Sequence, residues 1–349
     1  MAAEAGTREV LDTLGMFDAA AGLPEQVEQA AAIGAEVVGL PDRESIENVL
    51  VLGMGGSGIA GDVLTVIAGP FMPVPVVVVK GYEPPSYVNE ATLVFAISFS
   101  GNTEETVDAA QTAVAAGGRV VAVTGGGELF RLAESWDVPV VRVPDSIPQP
   151  RAGLGALAVP PLVILERMGL FPGAGEWVTQ AVAQLRARRD ELVADDNPAQ
   201  ALARRIGRTL PIIYGGGGLG GVAATRWKTE INENARVPAF ANVNPELCHN
   251  EVAGWGQHGD VTRQVFTVLN LRHDYEHPQV MRRFDIVEEL IAEAVGDILE
   301  VRAAGEGTFA QFMDLAMQAA FTSLHLAAQE GLDPGPVPAL DHVKTELAH

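Results

Sequence analysis

The sequence predicts an α/β protein built from two doubly wound units, each with a mainly parallel sheet flanked by helices. Three observations predict it. Short Val/Ile/Leu runs alternate with helix-length segments, the pattern of βαβ units. The alternation occurs twice, and each round opens with an apolar run that ends in a glycine turn. The chain has 349 residues, more than one hydrophobic core usually organises.

The elements follow in chain order. Residues 1–48 read as helical, because Leu11, Leu14, Phe17, Leu23, Val27, Ala30 and Ile33 recur at helix-like spacings. The first unit spans 49–190. Its strands are Val49–Gly53, Val74–Lys80, Thr92–Ser98, Arg119–Thr124 and Val138–Val143. Ile59–Ile67, Thr103–Ala116 and Glu128–Trp136 are the helices between them, and 151–190 is mostly helix with a loop at Pro172–Gly175. The second unit spans 191–332. It has a strand and glycine turn at Leu210–Gly218, a helix at Gly221–Asn234, and strands in VPAFANV and VFTVLNLR. Helices at Pro278–Val295 and Thr308–Gly331 follow. A tail, 333–349, carries a short helix at Leu340–Leu347. No strict internal sequence repeat accompanies this echo.

Composition limits the function. The formal net charge is −22 with no basic cluster, so the surface repels nucleic acid and anionic lipid. Any phosphate site must therefore use local donors. Cys248 is the sole cysteine, so no internal disulfide forms. The N-terminus lacks the basic and apolar regions of a signal peptide. The longest apolar stretch, Ala152–Leu165, is too short to span a bilayer. The expectation is a soluble cytoplasmic protein.

Two glycine loops follow first strands. Gly53–Gly58 reads GMGGSG and fits the dinucleotide pattern G-x-G-x-x-G. A ribose-binding acid is expected at the end of the second strand, and Lys80 stands there instead. A lysine suits a 2′-phosphate, which keeps an NADP-dependent oxidoreductase as one alternative. Gly215–Gly221 is compatible with either ligand approach or plain turn-making.

A sharper signal lies at the end of the third strand, in ISFSGNTEET. Ser98, Ser100 and Thr103 bracket Gly101–Asn102 where a helix begins, and Ser57 faces the same crevice from the first loop. Hydroxyls beside free N–H groups at a helix start make an anion site beyond the strand ends. The plainer alternative is helix capping by Thr103.

These residues carry a resemblance. GMGGSGIAGD with SFSGNTEET is similar to a first sugar-isomerase (SIS) domain. RWKTEINENARVPAF with PELCHNEVAGW, the opening MFDAAAGLPEQ and the ending DPGPVPALDHVKTEL resemble the bifunctional phosphoglucose/phosphomannose isomerase family along essentially the whole chain.

The resemblance implies two SIS-type domains and a metal-independent aldose–ketose isomerase with no cofactor. Ser57, Ser98, Ser100 and Thr103 would hold the substrate phosphate, framed by Gly55 and Gly56. Arg151 would stabilise an enediolate, and Glu233 would move the proton between C1 and C2. His249 would help open the sugar ring, reaching it from the neighbouring subunit of a homodimer. Lys344 would assist, so the tail would complete the site. The residue types suit the reaction: a carboxylate returns a proton, a cation offsets the growing charge, and a histidine titrates near neutrality.

Each residue also has a plainer reading. Glu233 could pair with Arg226, Lys228 or Arg236; His249 could serve a turn before Glu251; Arg151 could be an ordinary loop residue; Lys344 could be solvated. Two departures from the family pattern stand out. Cys248 occupies a position where asparagine is common, and no threonine lies between Glu330 and Val343 to mark mannose 6-phosphate use. The cluster His273, Asp274, Glu276 and His277 lacks a metal-site spacing and reads as a solvated turn. A sugar-phosphate sensor without catalysis is the remaining alternative, although no basic helix-turn-helix is visible.

Overall fold

The computed structural model describes residues 10–347. Its first sheet contains β1 (Asn48–Leu52), β2 (Val76–Val79), β3 (Thr92–Ser98), β4 (Arg119–Thr124) and β5 (Val140–Arg142). All pairings are parallel and the order is β2-β1-β3-β4-β5. The apolar runs explain this, because both faces of the sheet are covered. Val49, Val51, Phe95 and Ile97 join the core toward the second half of the chain, while Leu50, Leu52, Val94 and Ala96 pack on the opposite face. The helices are α1 (Met16–Ala21), α2 (Leu23–Glu36), α3 (Gly55–Ile67), α4 (Glu104–Ala115), α5 (Gly127–Trp136), α6 (Leu154–Arg167) and α7 (Ala174–Leu192).

The second sheet is also parallel, in the order β7-β6-β8-β9. Its strands are β6 (Leu210–Gly216), β7 (Phe240–Asn244), β8 (Phe266–Arg272) and β9 (Asp297–Arg302). The accompanying helices are α8 (Pro198–Ile206), α9 (Gly217–Glu230), α10 (Gly259–Val265), α11 (Pro278–Ile291), α12 (Thr308–Gln329) and α13 (Pro338–Leu347). Thus β6, β7, β8 and β9 repeat the placement of β1, β2, β3 and β4. The β9 strand escapes sequence inspection. Its Asp297, Glu300 and Arg302 interrupt the apolar run, as suits a sheet edge, and the helix before it stops at Ile291 rather than Val295.

One continuous hydrophobic cluster joins the two halves. Most of α12 is buried, and it contributes Phe309, Phe312, Met313, Met317 and Phe321 to that cluster. Both sheets therefore offer their strand C-terminal ends from a common frame. In each, the strand order reverses beside the central glycine loop, where open α/β sheets bind ligands.

Candidate active site

The site begins at the C-terminal ends of β1 and β3. The β1 strand runs into Gly53, and α3 starts at Gly55, so Gly55, Gly56 and Ser57 form its first turn. Gly55 has φ +51°, a conformation that side chains rarely adopt. Ser57 is buried.

The β3 strand ends on Ser98, which is buried. Its Oγ accepts the Gly101 N–H at 3.0 Å and lies 2.9 Å from Thr103 Oγ1. Ser100 Oγ accepts the Asn102 N–H at 3.2 Å, and Asn102 Oδ1 accepts the Glu128 N–H at 2.9 Å. Gly101 has φ +73° and lies tight against Gly126, so a side chain there would break the turn. The loop is thus fastened to its neighbour. Ser100 is exposed and Thr103 half-buried at the start of α4. The capping alternative fails, because the Thr103 side chain makes no cap hydrogen bond.

Arg151 lies next to both loops. It sits in the short 3-10 turn Pro150–Gly153 that leads into α6. Gly56 approaches the Pro150 carbonyl, and Gly153 packs on the Phe99 ring. The Arg151 side chain is 3% exposed, so it is not an ordinary loop residue. Its Nε donates to Asn234 Oδ1 at 2.6 Å, and Nη2 donates to the Gly335 carbonyl at 2.8 Å and to that of Pro334. Burial pulls its pKa down, while Glu233 and Glu230 act the other way.

Glu233 comes from the far end of α9. There the helix widens into the π-helical turn Ile231–Ala235, and the chain leaves through Arg236 at φ +55°. π-Turns inside helices often mark functional positions. Glu233 Oε2 lies 3.6 Å from Arg151 Nη1, at 29% side-chain exposure. The surface pairing considered for Glu233 does not form: Arg226 bonds Glu230 instead, and Arg236 bonds the carbonyls of Asp333 and Pro336.

Sequence inspection missed a buried polar layer behind this pair. Arg226, Glu230, Asn234 and Ser323 are all buried. Glu230 accepts from Arg226 and from Asn234 Nδ2 at 2.7 Å. Burial raises the Glu230 pKa, against the pull of Arg226. Arg151, Arg226, Glu230 and Asn234 line a cavity of about 30 Å³ together with apolar residues of α1, α2, α6 and α12. The available signal was the spacing of Arg226, Glu230 and Asn234, four residues apart on one helix face.

His249 and Lys344 stand apart from this centre. His249 is exposed in the 3-10 turn Glu246–His249 after β7. Its segment is anchored by Glu251, which accepts from Tyr214 Oη at 2.5 Å and from Asn242 Nδ2. The cap of the next turn is Asn250, not His249. Cys248 Sγ donates to Asn244 Oδ1 at 3.2 Å. Lys344 is exposed on α13. Among the described residues, neither His249 nor Lys344 pairs with Arg151 or Glu233.

Two further expectations change. The His273–His277 segment is only half a solvated turn, with Asp274 and His277 exposed. His273 and Glu276 are buried, Arg272 donates to Glu276, and His273 Nε2 lies 2.9 Å from the Gly216 carbonyl. Lys80, the residue that kept the NADP alternative open, is held by Asp62. No group of His, Cys, Asp and Glu among the described residues is arranged to hold a metal ion. No helix among them is long and apolar enough to cross a membrane.

Comparison with known proteins agrees with this architecture. A SIS-domain model matches residues 44–133, and the model for the bacterial phospho-glucose isomerase C-terminal SIS domain matches 195–347. The glucosamine-fructose-6-phosphate aminotransferase C-terminal domain from Francisella tularensis shares the fold. Its TM-score is 0.70 at 16% identity, over 95% of this chain and 99% of that one. The bifunctional phosphoglucose/phosphomannose isomerase of Aquifex aeolicus is 30% identical over 88% of this chain and 92% of its own. That of Caldicellulosiruptor bescii is 36% identical over 95% of this chain and 99% of its own. The chain therefore belongs to the bifunctional phosphoglucose/phosphomannose isomerase family.

Proposed function

We propose that the protein is a metal-independent isomerase that interconverts glucose 6-phosphate, mannose 6-phosphate or both with fructose 6-phosphate. The observation that carries this is the Glu233 carboxylate facing the buried Arg151 guanidinium at 3.6 Å, beside two donor-rich loops. In the open-chain aldose, Glu233 takes the C2 proton and the C–H electron pair forms the C1=C2 bond of a cis-enediolate. Negative charge grows on O1, next to Arg151. Glu233 returns the proton to C1, the O2 hydroxyl proton passes to O1, and the ketose carbonyl forms at C2. The same group serves in both directions, as reversibility requires.

Ser57, Ser98, Ser100, Thr103 and the backbone of Gly55 and Gly56 hold the phosphate in this reading. Neutral donors at two helix starts suit an anion in a protein of net charge −22. His249 opens the ring from a neighbouring subunit of a homodimer, which accords with its exposure. Lys344 reaches the site when α13 folds inward.

The test supplies fructose 6-phosphate to purified protein in EDTA and follows both aldose phosphates. Turnover to either supports the reading, and the product ratio reports on the threonine missing upstream of Lys344. Glu233→Gln should lower kcat at least about 1,000-fold with little change in substrate affinity. Retained turnover in that variant sinks the base assignment.

A further inference from the structure

We propose that Asn234 is a positioning residue that aims one edge of Arg151 at the reacting oxygens; this rests on the isomerase reading above. The argument is an accounting of donors. A guanidinium has five N–H groups. On Arg151 the Nε hydrogen goes to Asn234 Oδ1, and the two Nη2 hydrogens go to the Pro334 and Gly335 carbonyls. Among the described residues the Nη1 pair has no hydrogen-bond partner and faces Glu233 Oε2 at 3.6 Å. Nη1 is therefore the edge left for substrate.

Asn234 fixes which edge that is. An amide can present its oxygen or its nitrogen, and the neighbours here decide. Asn234 Nδ2 donates to Glu230 Oε2 at 2.7 Å and to Ser323 Oγ at 2.9 Å. The Ser323 hydroxyl hydrogen is spent on the Ala320 carbonyl at 2.9 Å, so Ser323 can only accept from Asn234. Both amide hydrogens are committed, and Oδ1 must point at Arg151. About two turns earlier, Arg226 donates to the Arg151 carbonyl and to Glu230. Arg226 and Asn234, eight residues apart, thus hold the backbone and the side chain of Arg151. Arg151, Arg226, Glu230, Asn234 and Ser323 all lie below 6% exposure, so the guanidinium cannot drift without breaking buried bonds.

The consequence is kinetic. The substrate oxygens beside Arg151 carry full negative charge only in the enediolate, so the aim of Arg151 affects kcat more than KM. Misplacing such a group by about 1 Å costs up to about 100-fold. Asn234→Ala is expected to lower kcat for fructose 6-phosphate roughly 10- to 100-fold, with KM moving less than about threefold. Ser323→Ala, which loosens the amide without removing it, is expected to lose less, about 2- to 5-fold; it also serves if Asn234→Ala does not fold.

The deciding measurement is a cycle with Arg151→Lys. If Asn234 acts through Arg151, Asn234→Ala adds little to the loss already caused by Arg151→Lys. Fully additive losses would mean that Asn234 acts elsewhere and would overturn the proposal. A crystal structure of the Asn234→Ala protein reads the geometry without reference to turnover. Arg151 should leave its place beside Glu233, and an unmoved guanidinium refutes the proposal even if the chain has another substrate. Absence of wild-type hexose-phosphate turnover with a displaced Arg151 would count against the isomerase reading alone.

Discussion

The loops that follow β3 and β8 occupy the same place in their two sheets, yet they are built on opposite principles. After β3, the chain offers Ser98, Ser100 and Thr103 around Gly101, without a charged side chain among them. Ser100 remains open to solvent. After β8, the corresponding turn is charged and sealed. Arg272 lies at 6% side-chain exposure under Glu276 at 0%, and Glu276 also accepts the His273 N–H at 3.0 Å. Gly216, the counterpart of the first glycine loop, packs directly on the Glu276 side chain. The chain's own carboxylate thus fills the strand-end crevice of the second half, while in the first half no carboxylate occupies the loop and Ser100 faces solvent. Under the proposed function, similar topology serves as a ligand loop in one half and as a structural pair in the other.

The sharpest way to break this comparison is to empty the sealed crevice. Glu276→Ala leaves Arg272 buried without its main partner. Removing one member of a buried pair typically costs about 3–5 kcal/mol. Glu300 remains 3.3 Å from Arg272 Nη1, so the lower end of that range is expected. Urea or thermal unfolding should record the loss, while kcat per folded molecule stays near wild type. A drop in kcat with unchanged stability would show that the second crevice takes part in the reaction.

The counterpart substitution is Thr103→Val in the open loop. It keeps the β-branched shape and removes a hydroxyl whose partner is Ser98. Stability should fall by less than about 1.5 kcal/mol. Affinity for sugar phosphate should fall about 10-fold, as one hydrogen bond to a charged group is lost. Unchanged KM and phosphate-ester affinity would remove Thr103 from the ligand site and return the loop to a purely structural role.

This contrast also explains what could be read in the sequence. The apolar runs of β1, β3 and β8, and the hydroxyls around Gly101, speak through composition and spacing alone. The Arg272–Glu276 turn looked solvated because charged residues usually are. Its burial depends on Gly216 approaching from another strand, which no local window contains. The β9 strand was hidden for a related reason: an edge position tolerates the charges that disguise it. Arg151 and Glu233 were found as types, but their meeting spans 82 positions and depends on α9 packing against the first half. The layer of Arg226, Glu230 and Asn234 had a legible period, yet a charged stripe normally signals the solvated face of a helix.

A third effect concerns the seam shared by both halves, and it separates acid sensitivity from either loop. His325 lies on α12 against the Phe17 ring, with centroids 5.0 Å apart, and 3.4 Å from Asn197 Nδ2. Burial, aided by the charge of Arg204, pulls its pKa from 6.5 down to about 4. The folded protein therefore keeps the imidazole neutral where the unfolded chain protonates it. Between pH 6.5 and about 4 the unfolded state binds more protons, so stability falls as pH falls through that window, and the contribution levels off below it. His325→Gln removes the titration and keeps a polar group beside Asn197. Its melting temperature should decline less steeply over the same window, with the two curves converging in relative terms toward acid. Parallel curves would mean that acid loss arises from other groups. A flattened curve, with the Glu276 variant still as steep as wild type, would locate this part of the acid response at the seam rather than in the sealed crevice.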